Sequence, residues 1–253
     1  MKKALILLYG ASAYAVFFGL FLYLIGFLGN LIVPVSIDVG PEAPLGTALL
    51  VNTALIIVFG LQHSVMARPA FKRVWTKVVP ESMERSTYVH ASNLALGALI
   101  YFWRPMPIVL WDFTGTSMEY VGWAAFGFGW LFLLASTFLI NHFDLFGLRQ
   151  VFHFAKGTEP TELKFTQRFF YGAVRHPIYV GWFIASWCTP VMTVGHLFYA
   201  AGMSIYMLVA IPLEERDLID VHGDTYRDYR DSVPSLVPRL RKSNVEPKTT
   251  TVA

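Results

Sequence analysis

Long apolar stretches separated by short polar loops dominate the chain. Four of them cover about residues 4–33, 45–67, 86–103 and 118–141. Roughly 20 predominantly apolar residues are enough for a helix to cross a bilayer, so each stretch predicts a transmembrane helix. The first stretch is longer than a bilayer requires, and we expect it to tilt or to protrude at its Gly26–Asn30 end.

The last apolar region is split into two arms. Ile178 to Thr189 is too short to span a membrane, Pro190 and Gly195 interrupt the pattern, and a second run continues to about Leu213. This predicts a C-terminal helical hairpin whose ends return to the same side. The fold class is therefore an all-α integral membrane protein: four transmembrane helices, the hairpin and cytoplasmic interfacial helices. We expect one domain over residues 1–242 and a disordered tail over 243–253.

Composition agrees with a membrane protein, since 55% of the residues are hydrophobic and 15% are charged. A net charge of +3, scattered along the chain, argues against a nucleic-acid partner. The single cysteine, Cys188, excludes an internal disulfide framework. The histidines never recur at the spacing that builds a metal site on one helix, so no metal is expected.

Basic residues gather in alternate loops. The N-terminus, the second loop, residues 142–175 and the tail are basic, whereas the other loops are not. Cytoplasmic loops of membrane proteins carry an excess of Lys and Arg, so both termini are predicted to be cytoplasmic. The first apolar stretch extends far beyond a signal-peptide core, which favours an uncleaved first helix.

Two polar clusters flank the hairpin. The first is RHPIYVG, Arg175–Gly181, called here the Arg-His-Pro motif, and the second is Glu214–Asp217. Ionisable residues are costly where a membrane begins and mark function there. Pro177 suits the first turn of a helix, because its missing N–H would be unpaired anyway. Since the hairpin returns both clusters to one side, they predict one cytoplasm-facing pocket for a polar cofactor.

A third polar group ends the fourth apolar run. His142 and Asp144 could hold or accept a proton there. Arg149 follows them, and it fits either a functional site or an interfacial helix end, where a cation meets the helix dipole.

Further polar residues lie within or beside the second and third runs. Gln62 and His63 fit a polar patch satisfied by other helices as well as a cavity lining. Glu81 and Arg85, one helical turn apart, predict a surface ion pair.

The motif, the hairpin, the two glutamates, Leu218, Gly223, Tyr226 and Tyr229 together resemble the isoprenylcysteine carboxyl methyltransferase superfamily over about residues 165–234. The segments Gly60–Pro69, Glu84–Tyr88, Asn141–Gln150 and Thr189–His196 look like those of the bacterial methanethiol S-methyltransferases. The resemblance implies a bacterial inner-membrane enzyme that methylates methanethiol to dimethyl sulfide with S-adenosyl-L-methionine. It places the cofactor-binding core in about residues 142–234.

The resemblance does not say which polar group contacts which substrate atom, so the roles of the site residues are assigned by charge complementarity. We expect the cofactor to be held by the following residues: Arg175, His176, Pro177, Tyr179, Gly181, Glu214 and Glu215. His176 and Tyr179 are assigned to adenosine and Arg175 to the methionine carboxylate. Either glutamate could bind the ribose hydroxyls or the methionine ammonium.

The acceptor must reach the donor as a thiolate. A cysteine-like thiol has a pKa of about 8.5, and small alkyl thiols are less acidic, so cationic groups or a base would help. The candidates are His142, Asp144, Arg149 and Arg175. The residues expected around the small thiol are Gln62, His63, Tyr88, Phe143 and Tyr226. The lipid bilayer is the other expected partner, and no protein partner is predicted.

Other functions share parts of this pattern. A related membrane methyltransferase could act on a larger lipid or prenyl thiol or carboxyl group. A nicotinamide-dependent membrane reductase would need extra cations for phosphates. A transporter or assembly factor would place polar residues across both leaflets, whereas here they gather on one side.

Overall fold

The computed structural model describes residues 2–161 and 165–239 as a bundle of helices with one short two-stranded ribbon. The predicted tail, residues 243–253, lies outside the described residues. The helices are α1 Lys2–Gly29, α2 Leu45–Ala67, α3 Pro69–Trp75, α4 Glu81–Phe102, α5 Ser117–Ile140, α6 His142–Leu145, α7 Leu148–Lys156, α8 Phe170–Ala173, α9 Pro177–Trp187, α10 Val194–His222 and α11 Asp224–Ser232; the strands are β1 Val109–Asp112 and β2 Val191–Thr193.

The predicted all-α membrane fold is confirmed. Within the described ranges, four helices are long and apolar enough to cross a membrane: α1, α2, α5 and α10. The last of these is the second arm of the predicted hairpin. The third predicted span corresponds to α4, which has 22 residues but does not meet the same measure of apolar composition. It packs against α1 and α2, and several of its polar side chains contact them: His90 Nε2 lies 3.2 Å from the Tyr9 carbonyl, Asn93 donates to the Ala13 carbonyl, and Tyr88 Oη lies 2.9 Å from His63 Nε2.

The first helix ends earlier than expected. Its last residue is Gly29, and the backbone then reverses through Asn30 and Ile32, both with positive φ. The Ile37 amide returns to donate to the carbonyl of Phe27 at 3.0 Å. The predicted continuation to residue 33 is therefore wrong, because apolar composition alone does not reveal where a chain turns back onto its own helix.

The hairpin turn carries a ribbon that sequence periodicity missed. β2, directly before α10, pairs antiparallel with β1, and Trp111 lies opposite Met192. Thr193 then caps α10, its Oγ1 accepting from the amide of His196 at 3.1 Å. We call this end of the bundle the ribbon end.

The opposite end of the bundle is called the motif end, because α9 begins there at Pro177. Helices α5 and α9 cross in close contact, and this crossing lies next to the start of α9. A Cβ built on Gly181 would lie 2.6 Å from the Leu133 amide nitrogen, and one on Gly129 would lie 2.4 Å from the Ala185 nitrogen. Small residues let two membrane helices approach to backbone contact. The crossing therefore fixes the start of α9 against the end of α5.

The second arm of the hairpin extends past its apolar part. α10 continues through Pro212 and the two glutamates to His222, so Glu214 and Glu215 lie inside a helix. Gly223, with φ 58°, then turns the chain into α11. A positive φ is readily available to glycine. This turn brings the tyrosines of α11 back against the motif end.

Candidate active site

A cavity of about 320 Å³ opens at the motif end, between α9, α10 and α11. It brings together Arg175–Tyr179 of the first sequence cluster and Glu214 of the second. Its lining residues are Ile140, Phe165, Thr166, Tyr171, Arg175, His176, Pro177, Ile178, Tyr179, Glu214, Leu218, His222, Tyr226 and Tyr229. Such a volume lies in the range of small-molecule and cofactor sites.

The Arg-His-Pro motif enters this cavity as the start of a helix. Pro177 is the first residue of α9, as predicted, and His176 is its N-cap. The amides of Arg175 and His176 donate to the carbonyls of Pro234 and Ser235, at 2.9 and 3.1 Å. The segment that follows α11 therefore holds the motif in place through its backbone.

Glu215 is the buried centre of an ion cluster. Arg175 donates to its Oε1 from Nε and Nη2, both at 2.8 Å, and His176 Nε2 lies 3.0 Å from the same oxygen. Arg175 Nη1 also donates to the carbonyls of Arg230 and Val233. The Arg175 and Glu215 side chains are only 10% and 11% exposed. Arg175 and Glu215 are thus largely occupied with each other and with the protein backbone.

Glu214 differs from its neighbour. Its side chain is 42% exposed, and its one direct hydrogen bond among the described residues comes from Tyr179 Oη at 3.0 Å. His176 Nδ1 lies farther away, at 3.8 Å, and the His176 and Tyr179 rings stack with centroids 5.4 Å apart. A carboxylate can accept about four hydrogen bonds, so Glu214 can accept more from a ligand.

Aromatic rings form the opposite wall. The Phe165 ring lies 4.9 Å from His222, 5.6 Å from Tyr226 and 5.2 Å from Tyr229, measured between centroids. Tyr229 Oη donates to the carbonyl of Tyr171 at 2.6 Å. Burial raises the pKa of Tyr229 to about 12 and also raises the pKa of Tyr226. The two phenols are therefore neutral, and the wall that they form with Phe165 is aromatic.

Several lining residues were missed by sequence reasoning. Phe165 and Thr166 belong to an irregular segment without periodicity, which gives no signal. His222 is an isolated histidine in the sequence. It lies four residues after Leu218 and eight after Glu214, and therefore on the same helix face, but this spacing has meaning only if α10 continues to His222.

A second polar cluster lies between α2 and α4, here called the α2–α4 cluster. Tyr88 Oη lies 2.9 Å from His63 Nε2, and His63 Nδ1 lies 3.3 Å from Ser92 Oγ. Gln62 Nε2 donates to Ser92 Oγ at 3.3 Å, while Gln62 Oε1 is buried without a partner in the described structure. Tyr88 also lies within electrostatic range of Glu214. The structure thus brings three of the predicted substrate residues together, outside the lining of the cavity.

The other two predicted substrate residues lie elsewhere. Tyr226 lines the cavity itself. Phe143 is 51% exposed on the outside of the bundle. Gly181, predicted to bind the cofactor, lies in the crossing of α5 with α9.

His142 occupies an aromatic pocket of its own, outside the lining of the cavity. Its ring stacks on Phe138 with centroids 4.1 Å apart, and its nitrogens lie 2.9 Å from Tyr14 Oη and 2.8 Å from Thr137 Oγ1. Burial lowers the pKa of His142. Both ring nitrogens therefore already have partners.

Asp144 and Arg149 pair with each other rather than with His142. Arg149 Nη1 donates to Asp144 Oδ1 at 3.1 Å, and Gln150 Nε2 donates to the same oxygen at 3.2 Å. Arg149 Nη2 also donates to Thr161 Oγ1 at 2.9 Å. The contacts join α6, α7 and the segment that follows them. A catalytic role for His142, Asp144 and Arg149 stays a prediction.

Comparison with known proteins gives close relatives over nearly the whole chain. It is 48% identical to the methanethiol S-methyltransferase of Crocosphaera subtropica over 96% of each chain. It is 50% identical to the methanethiol S-methyltransferase of Mycobacterium tuberculosis over 94% of this chain and 98% of the relative. A Nurim homolog of Drosophila pseudoobscura is 29% identical over 67% of this chain and 70% of its own. No protein-family model and no solved structure matches the chain.

Proposed function

The chain belongs to the methanethiol S-methyltransferase family, and we propose that it transfers a methyl group from S-adenosyl-L-methionine to methanethiol, giving dimethyl sulfide. The observation that carries this proposal is the cavity at the motif end, where a half-exposed carboxylate faces aromatic rings. A carboxylate that accepts hydrogen bonds and aromatic side chains fit a cofactor that has an adenosine and a cationic amino-acid part. When bound, the sulfonium supplies an already activated methyl group, so that the protein's task is alignment and desolvation.

Glu214 is the residue we assign to the polar part of the cofactor. Its carboxylate is the more accessible of the two, since Glu215 is enclosed by Arg175 and His176. It can accept from the ribose hydroxyls or from the methionine ammonium. Charge-assisted hydrogen bonds of this kind are roughly twice as strong as neutral ones. Tyr179 orients the carboxylate through its 3.0 Å hydrogen bond.

The aromatic wall is assigned to the adenine ring. Phe165, His222, Tyr226 and Tyr229 pack against one another and line one side of the cavity. Aromatic faces favour offset stacking with a flat heterocycle. Arg175 lines the cavity but makes its hydrogen bonds to Glu215 and to backbone carbonyls, so its role as receptor for the methionine carboxylate stays a prediction.

Gln62, His63 and Tyr88 are assigned to the acceptor. They form the α2–α4 cluster, and Gln62 Oε1 is a buried acceptor without a partner in the described structure. A thiol S–H could satisfy it. Methanethiol is small and apolar enough to arrive through the lipid, whereas the cofactor enters from water. We propose that the motif end faces the cytoplasm of a bacterial inner membrane, consistent with the basic loops.

The test uses purified protein in detergent. With S-adenosyl-L-methionine and methanethiol, dimethyl sulfide should accumulate in the headspace, as measured by gas chromatography. Glu214→Gln should weaken cofactor binding, as measured by calorimetry. The matched control is Glu119→Gln, which changes a glutamate in the first turn of α5. Cofactor binding without any sulfide would show that the acceptor is wrong. Absence of cofactor binding by the wild-type protein would overturn the assignment of the cavity.

A further inference from the structure

The first turns of α4 contain a concentration of charges beside the α2–α4 cluster. Three acidic side chains of this region each face a cation: Glu84 with Lys72 at 3.8 Å, Asp144 with Arg149 at 3.1 Å, and Asp217 with Arg68 at 2.7 Å. One further cation, Arg85, belongs to the same group. These three acids therefore already have partners, whereas Glu81, one helical turn before Arg85, is exposed to solvent.

Arg85 has no carboxylate within 4.0 Å in residues 2–161 and 165–239. The predicted ion pair with Glu81 does not form. Instead, Arg85 Nε donates to the carbonyl of Leu145 at 2.8 Å, and the guanidinium carbon lies 5.0 Å from the centroid of the Tyr88 ring. These two contacts fix the plane of the guanidinium. A partly buried cation without a counter-charge is costly, and it is the arrangement an anion would relieve.

The positive field of Arg85 reaches its neighbours. The pKa of Lys72 is lowered, first by burial and then by the charge of Arg85. His63 also lies within electrostatic range of Arg85, and Tyr88 lies within range of both Arg85 and Glu214. Arg85 is therefore linked on one side to the proposed acceptor residues and, through Tyr88, to the cofactor cavity.

We propose that the guanidinium of Arg85 binds the sulfur of the acceptor and stabilises it as a thiolate. This inference rests on the proposed function. In the step, the S–H bond of the thiol breaks and its proton passes to water at the motif end. The thiolate electron pair forms the new S–C bond, while the bond from the methyl to the donor sulfur breaks and leaves its electron pair on that sulfur.

Arg85 suits this role better than the cations suggested by the sequence. Arg175 is bound to Glu215 and to two carbonyl groups, and Arg149 is bound to Asp144 and Thr161. Neither has an unpaired charge to offer. The groups within electrostatic range of Arg85 are Lys72, His63 and Tyr88, and Arg68, Glu84 and Asp144 in turn act on Lys72.

The experiment compares Arg85→Gln and Arg85→Lys with the wild-type enzyme, using ethanethiol and the more acidic 2,2,2-trifluoroethanethiol. A nearby opposite charge shifts a pKa by about 1–3 units, so Arg85→Gln should lower kcat/KM for ethanethiol at neutral pH by about 10- to 1000-fold. The defect should shrink as pH rises, and it should be much smaller for the acidic thiol. Arg85→Lys keeps the charge but not the planar guanidinium, so its kcat/KM should lie between the values of the wild type and Arg85→Gln.

Lys77→Gln removes an exposed cation just beyond α3 and is the matched control. Cofactor affinity by calorimetry should be unchanged in all variants, which separates this inference from the assignment of the cavity. Equal defects with both thiols, or an unchanged pH profile, would show that Arg85 acts only through the fold. If Arg85→Gln does not fold, the same two-thiol comparison on Arg85→Lys decides. A wild-type enzyme that methylates no thiol would instead refute the proposed function.

Discussion

The two ends of α10 both carry polar side chains in apolar surroundings, but they use them differently. At the ribbon end, Thr193 Oγ1 donates to Asp38, and the His196 ring donates from Nε2 to the carbonyl of Ser186 at 2.9 Å. His196 is 1% exposed. At the motif end, Glu214 has one hydrogen bond and an exposed side chain.

Hydrogen-bonding capacity distinguishes the two ends. Buried polar groups are normally hydrogen-bonded wherever they occur. At the motif end, Glu214 has unused capacity in the lining of the cavity, and Gln62 Oε1 in the α2–α4 cluster is buried without a partner in the described structure. The ribbon end has its polar groups paired with one another, which fits a role in holding the hairpin turn.

The largest effect should come from Glu215→Ala, which tests whether Glu215 at the motif end stabilises the fold. Removing one partner of a buried ion pair costs about 3–5 kcal/mol, because the other charge stays buried. In this variant, Arg175 and His176 would lose the carboxylate that they share. The midpoint of thermal unfolding in detergent should fall by several degrees. An unchanged midpoint would place Glu215 with the ligand-binding groups instead.

Glu214→Gln should behave in the opposite way. Losing a charge-assisted hydrogen bond to the cofactor costs about 1.5–3 kcal/mol, or roughly 10- to 150-fold in affinity. Thermal stability should hardly change, since the side chain is 42% exposed. Calorimetric titration with S-adenosyl-L-methionine measures the first quantity and a melting curve the second. Loss of thermal stability without loss of cofactor affinity would show that Glu214 stabilises the fold rather than binds the cofactor.

Asp38→Asn examines the ribbon end. Asp38 accepts from Thr193 Oγ1 and from Asn30 Nδ2, the latter at 2.8 Å. Weakening this pair should cost about 1–3 kcal/mol of stability. Cofactor affinity and kcat/KM should stay within about twofold of wild type, which corresponds to roughly 0.4 kcal/mol. A selective loss of activity would contradict the structural role of this end.

The smallest effect concerns His142, and it is a matter of pH. Its folded-state pKa is lowered by burial, so the unfolded chain binds the extra proton more readily. The stability from neutral His142 is present above about pH 6.5, the unfolded value, and is lost as pH falls below it. His142→Gln should flatten the dependence of the unfolding midpoint on pH in this window. Abolished methylation in a stable His142→Gln protein would instead support the predicted catalytic role.

The sequence predicted the convergence of the Arg-His-Pro motif and Glu214 because simple rules applied to them. Pro177 marks a helix start, and a hairpin returns its two ends to one side. The same reasoning could not distinguish Glu214 from Glu215, since adjacent residues of one type look alike until the helix orients them. In α10 they diverge by about 100°, one toward Arg175 and one toward the cavity mouth.

Other features lay beyond sequence reasoning for physical reasons. The end of an apolar run was taken as the end of the helix at Leu213, but helix propagation depends on backbone hydrogen bonds, and α10 continues to His222. The spacing of Glu81 and Arg85 predicts an ion pair. Arg85 instead donates to the carbonyl of Leu145, which is remote in sequence, and lies over the ring of Tyr88, one turn farther along α4. Tertiary partners decide such choices.

The crossing of α5 with α9 has a consequence for how this enzyme can change over time. At Gly129 and Gly181 backbone meets backbone, so no side-chain atoms remain to be removed there. Substitution can only add bulk, which would force the helices apart and carry the Arg-His-Pro motif with them. A single substitution can therefore disrupt this crossing, whereas no substitution can adjust its spacing gradually. Variation in substrate preference therefore has to come from the α2, α4 and α10 side of the bundle.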